Sequence, residues 1–110
     1  MTVKEIAEKL ELKVMSGEAG LSASVSGGYV SDLLSDVMGN ADTGNVWITL
    51  QTHKNVMAIA SLKDLAAIIL VNGHKPEKDM LDQSNEEGIP VLSTSLSTFE
   101  ISGKVYEILK

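Results

Sequence analysis

The fold is decided by two apolar segments, Asn45-Val-Trp-Ile-Thr-Leu-Gln51 and Leu65-Ala-Ala-Ile-Ile-Leu-Val-Asn-Gly73. The second contains an unbroken apolar run, which is typical of a strand that is covered on both faces. The residues between them, Thr52 to Asp64, show helical spacing, with Val56 and Ile59 on one side. A strand, a helix and a second buried strand form a parallel βαβ unit.

The same reasoning assigns the segments on either side of this unit. Helices are predicted at Val3–Leu10, Ser31–Met38, Glu77–Glu87 and within Thr94–Lys110, and strands at Leu12–Met15, Ser24–Val30 and Ile89–Ser93. The order α-β-β-α-β-α-β-α-β-α predicts an α/β fold. We expect a single domain over residues 1–110, with a mainly parallel sheet of about four or five strands and helices on both faces. The two early strands are expected at the sheet edges, in either direction.

Local signals predict where several helices begin and end. Thr2 and Glu5 have the spacing of a capping box. Ser31 is expected to cap the second helix, Pro76 to lie in the first turn of the fourth, and Gly88 to end it. The last helix carries Phe99, Tyr106 and Leu109 on one side, with Ile101, Val105 and Ile108 nearby.

The composition limits the classes of function. The chain has 110 residues, a net charge of −6, no cysteine, nine lysines and no arginine. Arginine is the usual reader of guanine and a frequent clamp on phosphate, so a nucleic-acid partner is not expected. The lack of cysteine excludes disulfides and thiolate chemistry and favours a cytoplasmic protein. The N-terminus has no apolar signal-peptide core, and no apolar run reaches the roughly 18 residues of a membrane span, so no membrane partner is expected.

Polar residues follow each of the three strands predicted to be parallel. Ligands of open parallel sheets bind beyond the carboxyl ends of the strands. The candidate ligand-binding residues are Thr49, Gln51, Thr52, His53, Asn72, His74, Ser93 and Thr94. This neutral set of amides, hydroxyls and imidazoles suits a base, a sugar or a peptide. The competing interpretation is local: Thr52 and Ser93–Ser97 cap helices, and Asn72-Gly73 forms a turn.

No catalytic or metal-binding constellation stands out. Zinc needs three or four protein ligands, and nothing completes a set with His53 and His74, so no metal and no cofactor are expected. The Gly-x-Ser-x-Gly motif of serine hydrolases is absent. Gly27-Gly28 lack the Gly-x-x-x-x-Gly-Lys-Ser/Thr context of a phosphate loop, and Asp32, expected in the first turn of the second helix, would repel a phosphate there. Gly27 and Gly28 are therefore assigned to close backbone packing.

Three segments carry a resemblance to a known family: Val25-Ser-Gly-Gly-Tyr-Val-Ser-Asp-Leu-Leu-Ser-Asp36, Val46-Trp-Ile-Thr-Leu-Gln-Thr-His-Lys-Asn55 and Ala66-Ala-Ile-Ile-Leu-Val-Asn-Gly73. Together they resemble the DRTGG domain family over nearly the whole chain. Only Gly27-Gly28 match the motif that names the family. Ser24, Val25 and Ser26 stand where Asp, Arg and Thr would be.

The resemblance implies an α/β fold like the N-terminal domains of HPr kinase/phosphorylase and of the Mur ligases. It also implies an accessory or regulatory module. Related domains occur in some phosphotransacetylases and in pyrophosphatases that carry CBS domains, where the chemistry lies elsewhere. The corresponding Mur domain holds the uridine part of the substrate, which by analogy makes Thr49, Gln51, Thr52 and His53 the contact loop. Because the chain has no P-loop, a kinase activity does not follow from the resemblance.

The sequence therefore favours a non-catalytic regulatory or interaction module of this type, which senses a small ligand or contacts a partner protein. A homodimer is expected, since a small open sheet leaves edges to cover. The alternative is a nucleotide or nucleoside sensor that uses the Thr49–His53 loop. A third hypothesis is a phosphotransferase-related enzyme, for which the sequence offers no phosphate-binding motif.

Overall fold

A five-stranded sheet lies at the centre of the fold. The computed structural model describes all residues, 1–110. The strands are β1 (Lys13–Ser16), β2 (Gly27–Val30), β3 (Asn45–Thr49), β4 (Ala67–Leu70) and β5 (Val91–Ser93). The helices are α1 (Val3–Lys9), α2 (Leu34–Asn40), α3 (Asn55–Leu62), α4 (Lys78–Glu87) and α5 (Thr98–Leu109), with a 3₁₀ turn at Glu18–Gly20. None of these helices has both the length and the apolar content needed to cross a lipid bilayer.

The strands lie across the sheet in the order β1-β5-β4-β3-β2. The four strands from β2 to β5 are parallel, whereas β1 pairs antiparallel with β5. Trp47 pairs with Ile68 in parallel register, so the predicted βαβ unit is confirmed. The predicted order of elements and the edge positions of the two early strands are also confirmed.

The two central strands, β3 and β4, are buried along their whole length. Successive side chains of a strand point to opposite faces, and the core therefore has two halves. One half packs against α1 and α5 and includes Ile6, Ile48, Ile69, Leu92, Ile101 and Val105. The other packs against α2, α3 and α4 and includes Val37, Trp47, Met57, Ile68, Met80 and Val91. The predicted α/β fold with helices on both faces is confirmed.

Two helices begin with reciprocal capping boxes. The Thr2 hydroxyl accepts the Glu5 N–H at 3.2 Å, and the Glu5 carboxylate accepts the Thr2 N–H at 3.0 Å, as predicted. Ser97 and Glu100 form the same arrangement before α5. The cap predicted from the hydroxyl-rich segment before the last helix is therefore confirmed.

The predicted starts of α2 and α3 are wrong. The Ser31 hydroxyl accepts the Leu33 N–H at 3.1 Å in a turn, and α2 begins only after Leu33, which is its cap residue. Thr52 lies outside α3, whose cap residue is Lys54. In both places the residues after the strand are held by hydrogen bonds to a neighbouring loop, and the helix therefore begins further along the chain than predicted.

The start of α4 is also later than predicted. Pro76 precedes the cap residue Glu77 and is outside the first turn. The Glu77 N–H donates to the Thr52 carbonyl at 3.0 Å, so the segment before α4 is tied to the loop that follows β3. Gly88 ends α4 in the left-handed conformation, with φ of 67°, as predicted.

The edge strand β2 is shorter than the predicted strand, which began at Ser24. Ser24 forms an isolated antiparallel bridge with Thr2 instead. The Ser26 N–H then donates to the Gly44 carbonyl at 2.9 Å, and regular pairing with β3 starts at Gly27. The other four strands lie inside the predicted segments or within one residue of them.

The last helix turns its aliphatic side to the sheet. Ile101 and Val105 are buried, whereas Phe99 is 89% exposed and Tyr106 is 71% exposed. The side predicted to carry Phe99 and Tyr106 is therefore a solvent face in the isolated chain.

A buried pair of serines joins the antiparallel edge strand β1 to α4. The Ser16 hydroxyl donates to the Ser84 hydroxyl at 2.8 Å, and the Ser84 hydroxyl donates to the Ile89 carbonyl at 2.6 Å. Nearby, the Gly17 N–H donates to the Asn85 side chain at 2.8 Å. Since Ser84 is fully buried, each of these groups depends on the chain for its hydrogen bonds.

Replacing Ser84 with alanine should lower the free energy of unfolding by about 1–3 kcal/mol, because the Ser16 hydroxyl and the Ile89 carbonyl lose a buried partner. Urea unfolding at neutral pH measures the change. Ser35→Ala is the matched control, since Ser35 is a helical but exposed serine. Equal stabilities of the two variants would contradict the role of the serine pair.

Candidate functional site

The carboxyl ends of β3, β4 and β5 meet at one edge of the sheet, which we call the carboxyl edge. Thr49 pairs with Leu70, and Leu70 pairs with Ser93, so the last residues of three parallel strands are neighbours. The loops that follow carry the residues predicted as a ligand site. The topology therefore brings the predicted residues to one edge.

Backbone hydrogen bonds join the loop after β4 to the loop after β5. The Asn72 N–H donates to the Leu96 carbonyl and the Gly73 N–H to the Thr94 carbonyl, both at 2.9 Å. Asn72 and Gly73 adopt left-handed conformations, with φ of 54° and 68°. The predicted turn at Asn72-Gly73 is confirmed, and its geometry suits Asn and Gly.

Asp32 holds the loop after β2 against the loop after β3. Its carboxylate accepts the Thr49 hydroxyl at 2.8 Å and the Leu50 N–H at 2.9 Å. The Gln51 side-chain amide donates to the Asp32 carbonyl at 2.8 Å. Asp32 was not among the predicted site residues and was placed in the first turn of a helix, whereas it lies in the loop before α2.

The signal that could have found Asp32 is its position directly after a strand that ends at the same edge. The carboxylate is a strong acceptor, and the unpaired N–H groups beyond β3 are natural donors to it. A second bond supports the same loop: the Trp47 indole N–H donates to the Ser31 carbonyl at 2.7 Å. The β2–α2 loop is therefore fixed by both the core and the edge of β3.

Several predicted site residues serve to hold these loops in place. Thr49 is only 1% exposed and Gln51 is half-buried, and both bond to Asp32. The Thr94 hydroxyl accepts the Leu96 N–H at 3.2 Å. The Thr52 hydroxyl makes only a long contact of 3.5 Å to the Glu77 carboxylate.

The polar groups that remain available at the carboxyl edge are few. His53, Asn72 and His74 are exposed, and their side chains make no hydrogen bond within the chain. Ser93 is half-buried with a free hydroxyl. Two lysines follow the histidines directly in sequence, Lys54 and Lys75, and both are exposed and outside the two ion pairs of the structure. No group of three His, Cys, Asp or Glu side chains is arranged to hold a metal ion.

The largest cavity lies away from the carboxyl edge, between β2 and α5. This β2–α5 groove has a volume of about 950 Å³ and is open to solvent. Its lining includes Gly27, Gly28, Val30, Phe99, Ser102 and Tyr106. None of the predicted ligand-binding residues lines it.

Gly27 and Gly28 belong to the edge strand β2 and form no phosphate loop. A Cβ at Gly27 would lie 3.4 Å from the Asn45 side chain, and a Cβ at Gly28 would lie 3.7 Å from Val105. These are ordinary contact distances, and neither residue has a left-handed φ. The packing within the chain, which the sequence suggested as their role, therefore does not require glycine at either position.

A hydrogen-bonded group ties α2 to the edge strand. The Tyr29 hydroxyl lies 2.9 Å from both carboxylate oxygens of Asp36, and the Asn40 amide donates to the same carboxylate at 3.0 Å. The hydroxyls of Ser31 and Tyr29 and the Asn40 amide hold the pKa of Asp36 below its usual range. The Asp36 carboxylate in turn raises the pKa of Tyr29.

Comparison with known proteins agrees with the predicted resemblance. A profile described as DRTGG domain matches residues 5–108. An HPr kinase/phosphorylase from Bacillus pumilus (strain SAFR-032) is 24% identical over 125 aligned positions, which cover 97% of this chain and 39% of that protein. The chain thus spans about two fifths of the length of this relative.

A solved structure has a similar fold. It contains the CBS and DRTGG domains of the regulatory region of a Clostridium perfringens pyrophosphatase, complexed with its activator diadenosine tetraphosphate. The TM-score is 0.72 over 96% of this chain and 45% of that chain, at 15% identity. This likeness confirms the shared fold.

Replacing Asp32 with alanine should destabilise the carboxyl edge, because the buried Thr49 hydroxyl and the Leu50 N–H lose their acceptor. We expect a loss of about 1–3 kcal/mol in unfolding free energy and faster hydrogen exchange at the Leu50 amide. Urea unfolding and amide exchange by NMR measure the two effects. Asp42→Ala is the control, since the Asp42 carboxylate is exposed and makes no hydrogen bond; an equal effect in both variants would contradict the role of Asp32.

Replacing Asp36 with asparagine tests the lowered pKa through the pH dependence of stability. A carboxyl whose pKa is lower in the folded state stabilises the protein above its unfolded pKa and loses that contribution as the pH falls through the folded value. The stability difference between wild type and Asp36→Asn should therefore be largest near neutral pH and shrink between about pH 4 and pH 2. A stability difference between wild type and Asp36→Asn that stays constant from neutral pH down to about pH 2 would contradict this.

Proposed function

The chain belongs to the DRTGG domain family, and from this premise we propose that it is a regulatory module that binds a small ligand at the carboxyl edge and performs no chemistry of its own. The observation that carries the proposal is that the polar residues at this edge fall into two groups, those that hold the loops together and those that are free to contact a ligand. Asp32, Thr49 and Gln51 hold the loops together, whereas His53 and His74 remain exposed and unbonded.

The joined loops explain how a bound ligand could act on the rest of the fold. The segment before α4 bonds to the loop after β3 through Glu77 and Thr52, and the loop after β4 bonds to the loop after β5 through Gly73 and Thr94. A ligand that contacts His53 and an adjacent loop would therefore restrain several loops together. A ligand that restrains these loops lowers the free energy of the restrained conformation relative to the others. A regulatory module needs such a shift between conformations.

Two of the hydroxyls at the edge, those of Thr49 and Thr94, are unsuited to a catalytic role. Thr49 and Thr94 are buried and hydrogen-bonded, and no imidazole is recorded within hydrogen-bond distance of either hydroxyl. Activation of a nucleophile needs a base within that reach. The phosphotransferase hypothesis has no support from a phosphate-binding motif in the sequence.

A nucleotide is the second candidate, and two lysines favour it. Lys54 and Lys75 are exposed, unpaired and adjacent to His53 and His74. In this proposal the half-buried Thr52 and the exposed His53, at the end of the Thr49–His53 loop, contact the base or the sugar. The similar Clostridium perfringens structure contains diadenosine tetraphosphate, but it includes CBS as well as DRTGG domains and does not assign the nucleotide to either.

A thermal-shift panel tests both candidates. The panel contains uridine and adenine nucleotides, their nucleosides and diadenosine tetraphosphate. A ligand present at 100 times its dissociation constant stabilises the folded state by about 2.7 kcal/mol, which raises the melting temperature of a domain of this size by on the order of 10 °C. We expect at least one member of the panel to do so, and no hydrolysis or phosphoryl transfer to accompany it.

Two lysines of the same helical region provide the matched comparison. Lys54 precedes α3 at the carboxyl edge, and Lys63 follows α3 at its opposite end. His53→Ala and Lys54→Ala should reduce the ligand-induced shift, whereas Lys63→Ala should leave it unchanged. An equal reduction of the ligand-induced shift in all three variants would indicate that the ligand does not bind at the carboxyl edge. Absence of any shift across the panel would remove the nucleotide candidate, and turnover of ATP by the purified chain would overturn the non-catalytic proposal.

A further inference from the structure

The two edges of the sheet are protected to different degrees. The β1 edge has a register irregularity between Val14 and Ser16, an exposed Lys13, and hydrogen bonds from its end to α4. Irregular pairing and lysine are common means by which proteins keep sheet edges from pairing with other chains. The β2 edge, Gly27–Val30, has no charged residue, no proline and no such irregularity. β2 pairs with β3 alone, so its other side is open.

Exposed apolar side chains lie beside this open edge. Val30 is 47% exposed, Phe99 is 89% exposed and Tyr106 is 71% exposed, and all three line the β2–α5 groove. Two of the four aromatic residues of the chain therefore face solvent at one place. Apolar surface gathered next to a free strand edge is typical of an interaction site.

The glycines of this region have no role in the packing of the isolated chain. Side chains at Gly27 and Gly28 would make ordinary contacts, and a Cβ at Gly103 would meet no atom within 4 Å. Because these three positions carry no side chain, another chain can approach the backbone of β2 and of α5 closely. The groove also contains Ser102, whose Oγ is the one buried side-chain polar atom without a hydrogen-bond partner.

We propose that a second copy of this chain covers this surface, with β2 of each copy paired antiparallel to β2 of the other about a two-fold axis perpendicular to the sheet. The interface is isologous, so each copy presents the same residues to the other. The two five-stranded sheets become one continuous sheet. The proposal does not depend on ligand binding at the carboxyl edge.

The symmetry explains why the strand edge and the helix are exposed together. A two-fold axis perpendicular to the sheet keeps α5 of both copies on the same face, side by side and antiparallel. α5 packs over β2 and β3. With strands about 4.8 Å apart, the two α5 axes would then lie roughly 10 Å apart, which is the ordinary distance between packed helices.

The positions of the aromatic residues fit this arrangement. Phe99 and Tyr106 are seven residues apart, about two helical turns, and so lie on the same side of α5 with the small Ser102 between them. An antiparallel α5 brings each ring towards the opposite ring of the partner, Phe99 towards the partner's Tyr106. Aromatic pairs of this kind are favourable beyond the apolar area that they bury.

The area is of the right order for a stable pair. Phe99 and Tyr106 would together bury on the order of 300 Å² in each copy, since a covered aromatic side chain contributes about 150–250 Å². Both copies would bury roughly 600 Å² through these rings, about half of the 1,200 Å² at which stable interfaces begin. The β2 edge and the remaining lining of the groove supply the other half. An unrelated extended peptide would cover the strand edge but has no fixed helix to set against Phe99 and Tyr106.

Sedimentation equilibrium of the full chain tests the proposal, with twice the chain mass of 11.7 kDa expected at micromolar concentration. Tyr106→Lys and Val30→Lys should raise the dimer dissociation constant at least 100-fold, because each places an unpaired charge in the apolar part of the proposed interface. Leu62→Lys is the matched control: Leu62 is exposed to the same degree as Tyr106, 71%, but lies at the end of α3 on the other face of the sheet. It should leave the dimer unchanged.

Cross-linking tests the symmetry of the pair. Because the chain has no cysteine, Gly103→Cys introduces a single thiol beside the proposed axis. A short bismaleimide should join two copies of Gly103→Cys and should fail with Lys63→Cys, which lies far from the axis. A wild-type chain that stays monomeric at several hundred micromolar would overturn the proposal. So would a dimer that Leu62→Lys disrupts and Tyr106→Lys does not, or cross-linking through residue 63 instead of residue 103.

Discussion

The structure depends on the burial of β3 and β4 on both faces. Trp47 and Ile68 point to one side of the sheet and Ile48 and Ile69 to the other, and all four are buried, with at most 2% of the residue exposed. Apolar burial on this scale is the main favourable term in folding, so helices must cover both faces. With α2, α3 and α4 joining successive parallel strands on one face, α1 and α5 are left to cover the other. The carboxyl ends of four strands consequently fall at one edge.

At that edge, backbone N–H groups and short polar side chains that lie beyond the strand pairing need hydrogen-bond partners. The Asp32 carboxylate is the acceptor for two of them, the Leu50 N–H and the Thr49 hydroxyl. The same carboxylate joins a loop from the edge strand to the loop after a central strand. The hydroxyls and amides that sequence patterns associate with ligands are thereby divided into those that hold the loops, such as Thr49, and those that face solvent, such as His53.

The proposed ligand edge and the proposed dimer surface are distinct but share one element. β2 supplies the open strand at the groove, and the loop that follows it carries Asp32 to the carboxyl edge. Tyr29 lies between them and holds α2 through Asp36. In the two proposals, β2 itself pairs with the second copy and the loop that follows β2 borders the ligand edge, so a single short segment would connect assembly with ligand binding.

The sequence by itself determined the α/β class, the order of the elements, the parallel βαβ unit and the positions of the polar residues at its carboxyl ends. It also determined the Thr2 cap and the Gly88 stop. These features follow from local causes: hydrophobic spacing, reciprocal bonds over three residues, and the freedom of glycine to adopt positive φ. Only the tertiary structure decided that Asp32 organises the carboxyl edge, since its partners lie 17 to 19 positions away. It alone decided that Phe99 and Tyr106 face solvent, because α5 has two apolar sides and only one of them can pack against the face of the sheet.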